Sequence, residues 1–431
     1  MLITELAMSS PLSARLEVLD NGLKVLVRED HTAPVISCWA TYRVGSRNER
    51  PGITGISHFV EHMLFRRTRK FADGDIDRLI SSRGGHLNAF TSEDVTMYYE
   101  TLPSGHLDLA LEIEADRMVN AIFDEELVEA ERRVILSERE MYENYPEYRL
   151  EELVKATALI AHPYRWPVIG WRSDIEAITP RDLEEHYRAY YSPANAVLAI
   201  AGDIRAEDAL KMVRERLGAV ESRGRPPEPR TREPPQRGER RVELRMPGKV
   251  NYVYIAYHAP QASSEDFAPF LVLDAVLAGA KSLSLFSKVS FVRSAKLYRE
   301  LVRGELASSV GTEVKPSIDP FLYMVKITVR RGANPGEVER RALEVLEEFK
   351  VSEEEVKRAK KQVEAQLVYS LESATGQGLI MGFLEAVAGL ERFNELLNEV
   401  RGVKPADVRR TASSYLVEDK RTVGVFYPRS G

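Results

Sequence analysis

The chain has 431 residues, 44% of them hydrophobic and 29% charged, with a net charge of −6. That length exceeds one ordinary core and suits two globular domains of about 200 residues. The charge argues against a nucleic-acid partner, and the lack of any apolar run near the roughly 18 residues of a membrane span argues against a membrane. A lone cysteine, Cys38, excludes an intrachain disulfide and reads as a small buried residue in a strand. The N-terminus has an early acidic residue, Glu5, and no basic start or long apolar core of a leader, so a cytoplasmic location is the expectation.

Alternation from Arg15 predicts two short strands joined at Asp20-Asn21-Gly22. Residues 35–44, apolar on both faces, predict a central strand. It leads through Gly45-Ser46 and Pro51-Gly52 into a helical run over residues 55–65, GISHFVEHMLF. His58 and His62, four apart, share one helix face, with Glu61 a fraction of a turn round. Two neutral imidazoles plus a carboxylate able to take a proton from water are what a catalytic zinc requires. The competing reading is a pair of satisfied histidines on a packed helix. Residues 75–82 predict a short helix ended by Gly84-Gly85, residues 86–91 (HLNAFT) a strand returning toward the motif, 95–100 another strand, and 107–118 a helix. Residues 124–142 predict a further helix with Asp124 as N-cap and an apolar stripe of Leu127, Val134 and Met141. The same stripe carries Glu131 and Glu138. Buried carboxylates are costly unless something positive meets them, either a metal or an arginine such as Arg117. His162, in a proline-rich loop, is a weaker ligand candidate, and residues 197–202 close the first half as a strand.

HFVEHMLF, then GGHLNAFTSEDVTMYYETLP, then AERRVILSERE resembles the pitrilysin/insulinase family of zinc peptidases, an inverzincin group that includes the mitochondrial processing peptidase. The resemblance implies a third ligand about 76 residues beyond the second histidine, which selects Glu138, and a supporting glutamate seven residues earlier, Glu131. One Zn2+ per chain would then be held by His58, His62 and Glu138, with Glu61 as the base. It further implies that strand 86–91 is an exposed edge on which a peptide substrate lies by strand addition, with Asn88 holding its backbone beside Ala89 and Phe90. A turn-capping role for Asn88 is the alternative.

Residues 218–240, rich in proline and charge without apolar periodicity, predict a linker between a zinc-binding domain at 1–217 and a second domain at 241–431. The second half repeats the first: residues 179–202 match 404–427, with Pro180 over Pro405 and Tyr190 over Tyr415. In the same alignment Phe270, Leu273 and Asp274 replace His58, Glu61 and His62, while Ala359 and Gln366 replace Glu131 and Glu138, so that half cannot bind the metal. The expected fold class is α+β: two homologous halves, each an antiparallel-rich mixed sheet with helices on one face, related by internal duplication and enclosing a cleft. Family members commonly carry an arginine and, seven residues on, a tyrosine in the second half. Here those positions hold Leu301, or Val302 with one deletion, and Ser308, with Tyr298, Arg299 and Arg303 as possible substitutes. The resemblance therefore implies a zinc endopeptidase of peptides or unfolded segments that works as a dimer with a zinc-less paralogous subunit. The alternative is a non-catalytic assembly subunit related to the processing peptidase, which would be expected to have lost its ligands.

Overall fold

A computed structural model describes residues 12–281 and 292–429; the N-terminal residues read for a leader lie outside them. Two compact units divide the chain, the first made of residues up to Arg139, Trp166–Arg230 and Leu371–Phe393, the second of Glu140–Arg165, Thr231–Ser370 and the residues from Asn394 onward.

The first unit is built on β1 (Arg15–Val18), β2 (Lys24–Glu29), β3 (Val35–Tyr42), β4 (His86–Thr91), β5 (Thr96–Pro103) and β6 (Ala196–Gly202). They lie in the order β1-β2-β6-β3-β5-β4, antiparallel throughout except for β2 against β6. Every residue of β3 but the first is buried, Cys38 among them, as a two-sided apolar run requires. Strand β4 is one of the two edge strands, with one long side open to pairing.

The second unit is built on β7 (Arg240–Pro247), β8 (Tyr252–Ala259), β9 (Ala307–Glu313), β10 (Phe321–Val329) and β11 (Arg421–Arg429), in the order β7-β11-β8-β10-β9. Only β7 and β11 run parallel. Set beside β2-β6-β3-β5-β4, this sheet matches strand for strand, including the place of its parallel pair. The duplication expected from the repeated sequence is thus present as topology, in two homologous α+β halves.

The compact units do not follow the sequence boundaries at 217 and 241. The helix Pro146–Ala158, which comes from the first repeat, belongs to the second unit. There Leu150 and Val154 are buried in one core with Tyr254, Phe321 and Phe426. Its approach to β11 depends on Gly424, where a Cβ would lie 2.3 Å from Val154. The helix Ala374–Val387, from the second repeat, belongs to the first unit and seats Gly378 on Trp39 of β3, where a Cβ would meet the indole at 2.3 Å. Local periodicity marks both helices but says nothing about which sheet each covers.

Residues 221–237 carry no helix or strand. They are held rather than merely solvated: Glu233 accepts the backbone N–H groups of Ile160, Ala161 and His162 at 2.8–2.9 Å. No helix among the described residues is long and apolar enough to cross a membrane.

Candidate metal centre

The motif helix, Ile56–Met63, is fixed at its N-terminus before any ligand is considered. Gly55 caps it at φ +87°, and a Cβ there would lie 2.4 Å from the Ile169 carbonyl oxygen, so only glycine fits. The Glu49 carboxylate accepts the N–H groups of Gly55 at 2.7 Å and Ser57 at 2.9 Å. Asp174 accepts those of Gly52 and Thr54 at 3.1 Å and the Thr54 hydroxyl at 2.7 Å. Both carboxylates satisfy groups near a helix start that would otherwise lack partners, at the positive end of its dipole. Ser57 also donates to the Gly45 carbonyl at 3.2 Å and meets His186 Nε2 at 3.1 Å. Rotation of the helix would break the bonds at Gly55 and Ser57 together.

Burial pushes the Glu49 carboxyl up to about 7, against the pull of its backbone hydrogen bonds. A carboxyl held above its unfolded value of about 4.5 contributes stability that is complete below that value and is lost as pH rises through 7. The parent chain is therefore expected to lose on the order of 2–4 kcal/mol between pH 5 and pH 8 that a Glu49→Gln variant does not lose. Denaturant titrations of both proteins across that range check the difference in slope.

His58, His62 and Glu138 form the one group among the described residues in which three ligand atoms lie within 4.8 Å of one another. Glu138 Oε2 stands 3.8 Å from His58 Nε2 and 3.7 Å from His62 Nε2. A tetrahedral ion with bonds of about 2.1 Å spaces its ligands roughly 3.4 Å apart, so small side-chain adjustments suffice for zinc. His58 Nδ1 is buried without a hydrogen-bond partner. Burial, and then His62 beside it, pushes the His58 ring down to about 3, which keeps it neutral as a ligand must be.

His62 Nδ1 lies 2.8 Å from Glu131 Oε1, and the other Glu131 oxygen is 3.2 Å from Arg66 Nε. With its Nδ1–H donated to Glu131, His62 presents the Nε2 lone pair toward Glu138. Burial opposes charge on His62, but the Glu131 hydrogen bond and the charges of Glu61, Glu131 and Glu138 prevail and raise its pKa. For Glu131, burial is likewise outweighed by the His62 hydrogen bond and the charges of His62 and Arg66, and its carboxyl is held low. Glu61 is buried on the same helix, and burial pushes its carboxyl up to about 7. The Thr91 hydroxyl donates to Glu61 Oε2 at 2.6 Å.

The carboxylate helix, Glu125–Glu143, carries Glu131 and Glu138, but its buried face is not the expected stripe. Val134 and Met141 are 51% and 47% exposed, whereas Val128, Glu131, Arg132, Ile135 and Arg139 face inward. Two arginines account for the shift. Arg132 donates to the Ile175 and Ile178 carbonyls and lies over Phe59, and Arg139 lies over Trp171. Arg117 does not meet Glu131; it is buried between Glu114 and Glu100. His162 is buried against Asp319, 3.2 Å away, and takes no part in the cluster.

Asn88, Ala89 and Phe90 lie on β4, with the Asn88 side chain exposed and Phe90 edge-on to Trp39. In the second half, Phe270, Leu273 and Asp274 are buried on the helix Phe267–Ala278, where Asp274 is neutralised by Lys281 at 3.1 Å. Ala359 and Gln366 are buried on the helix Glu353–Tyr369. Leu301 is buried, and exposed Ser308 donates to the Thr328 carbonyl, so neither position offers a cation or a phenol. Arg299 stands 3.6 Å from Glu355. Four contributors went unnoticed in the sequence: Glu49, Arg66, Thr91 and Asp174. Only Glu49 had a local signal, an acidic residue shortly before a helix start.

The sequence profile described as Insulinase (Peptidase family M16) matches residues 24–170, and that described as Peptidase M16 inactive domain matches residues 177–363. The chain is 27% identical over 416 residues to a Helicobacter pylori protein named Zinc protease PqqE, covering 95% of this chain and 92% of that one. It is 26% identical over 404 residues to a Bacillus subtilis protein named Uncharacterized zinc protease YmxG, covering 93% and 95%. The crystal structure of a protease from Helicobacter pylori superimposes with a TM-score of 0.90 at 25% identity, over 96% of this chain and 99% of that one. With both halves matched in order and the ligand cluster in the half that the insulinase profile covers, the chain belongs to the insulinase family, peptidase family M16.

Proposed function

We propose that the protein is a zinc-dependent endopeptidase acting on peptides or unfolded segments. The observation that carries this reading is the convergence of His58, His62 and Glu138 beside the buried carboxyl of Glu61. The relatives named as zinc proteases support it. Those three residues would hold zinc, and the ion would supply Lewis acidity at the scissile carbonyl and at water. The remaining work belongs to the chain. The open side of β4 takes the peptide by main-chain pairing, which demands little of its sequence. Glu61 takes the proton of the attacking water and passes it to the leaving amine, a task suited to a carboxyl raised toward neutral pH. Glu131 holds His62 in one tautomer and orientation. A purely structural role gains no support from a site with every candidate ligand present.

The reading extends to a partner. Leu301 and Ser308 leave the second half without the arginine and tyrosine that the family resemblance implies, which a zinc-less paralogous subunit in a dimer would restore. The expected result is weak cleavage of a quenched peptide library by the zinc-loaded chain alone, abolished by a chelator, restored by zinc, and raised at least tenfold by the paralogue. Cleavage indifferent to chelator would contradict the zinc reading. Full activity alone, lost on Arg299→Ala or Arg303→Ala, would contradict the partner.

A further inference from the structure

We propose that Thr91 is a positioning residue for Glu61, tying the base to the strand on which the peptide lies; the proposal rests on the zinc-peptidase reading above. Thr91 is the last residue of β4, an edge strand of its sheet, and stands opposite Thr96 of β5. Its hydroxyl reaches across to the motif helix and donates to Glu61 Oε2 at 2.6 Å. Among the described residues, no other side chain donates a hydrogen bond to that carboxylate.

The geometry has two consequences. A carboxylate turns readily about its last torsion, which has a broad, roughly two-fold profile, so a buried base needs a donor to fix its plane. Thr91 supplies that donor through its hydroxyl on Oε2, beside its backbone N–H, which also pulls on the Glu61 carboxyl. The second consequence concerns register. A peptide paired along β4 is indexed against the backbone of residues 86–91, and the last side chain of the same strand indexes the base. One residue thereby sets the base relative to the peptide, and misplacement on the order of 1 Å is enough to cost a large part of the rate.

The zinc-less half contains a comparable tie that has no base to orient. Thr312, on the outermost strand β9, donates to Asp274 of the helix Phe267–Ala278, and Lys281 meets the same carboxylate. There the bond joins strand to helix as scaffold alone. It is the natural control for what the first-half bond does beyond scaffolding.

The test compares Thr91→Val, Thr91→Ser and Thr312→Val in the full, zinc-loaded chain, reading zinc content, melting midpoint, kcat and KM on a quenched peptide. Valine keeps the shape of threonine and removes its hydroxyl. Thr91→Val is expected to keep zinc and hold KM within about twofold while kcat falls on the order of 10- to 100-fold. Thr91→Ser is expected to recover most of kcat, and Thr312→Val to lower the melting midpoint without changing kcat. The positioning role is overturned if Thr91→Val retains the parent kcat, raises KM with kcat unchanged, or loses its zinc, if Thr91→Ser fails to recover kcat, or if Thr312→Val lowers kcat equally. A zinc-loaded parent chain that cleaves no peptide overturns the peptidase reading, and this proposal with it. An active parent beside an unaffected Thr91→Val overturns the proposal alone.

Discussion

Glu61→Gln is expected to leave the chain folded and zinc-loaded while lowering kcat by about a thousandfold or more. The amide keeps the size and the Thr91 hydrogen bond of the carboxyl, because Thr91 donates and either group offers an acceptor oxygen. It cannot take a proton from water, and general-base catalysis contributes roughly 10²–10⁴-fold to such reactions. Glu61 is not among the three clustered ligand atoms, so metal content is expected to stay at the parent level. KM is expected to change little, since peptide pairing is assigned to β4. Near-parental cleavage by this variant would remove Glu61 from the mechanism.

The second large effect is on the metal. His62→Ala deletes one of three candidate ligands and also takes from Glu131 the imidazole it engages at 2.8 Å, leaving it Arg66 at 3.2 Å. Binding energies of about 10–16 kcal/mol for four-ligand structural zinc sites imply several kcal/mol per ligand, so affinity is expected to fall on the order of a hundred- to a thousandfold. His58→Ala is expected to behave alike in zinc binding but to differ in stability. His58 has no hydrogen bond at Nδ1, and its loss leaves no carboxylate without a partner. Chelator competition separates the affinities, and thermal melting of the metal-free proteins separates the folding costs.

The candidate pair His58 and His62 was legible because an i, i+4 spacing on an apolar helix is local information. Glu138 was not legible on the same grounds. Its helix was foreseen, but its selection over Glu131 rested on family resemblance, and the structure places Glu138 beside both imidazoles and Glu131 behind one of them. The buried face of that helix was misread because hydrophobic pattern alone assigns Arg132 and Arg139 to solvent. Aromatic rings and free carbonyls bury both. The strands of the first half followed from alternation, and the duplication from the repeated tail. The exchange of helices Pro146–Ala158 and Ala374–Val387 between units did not, because the decisive features are glycines at 424 and 378 meeting side chains far away in sequence. Thr91 stood within a recognised segment, yet nothing local marks a threonine whose partner lies 30 residues earlier on another element.

Zinc content of the purified chain, by elemental analysis beside His62→Ala, decides whether the cluster is a zinc site. One zinc per chain is expected in the parent and a small fraction of that in the variant after equal dialysis against a weak chelator. A parent that takes up no zinc, or a variant that retains a full equivalent, would contradict it.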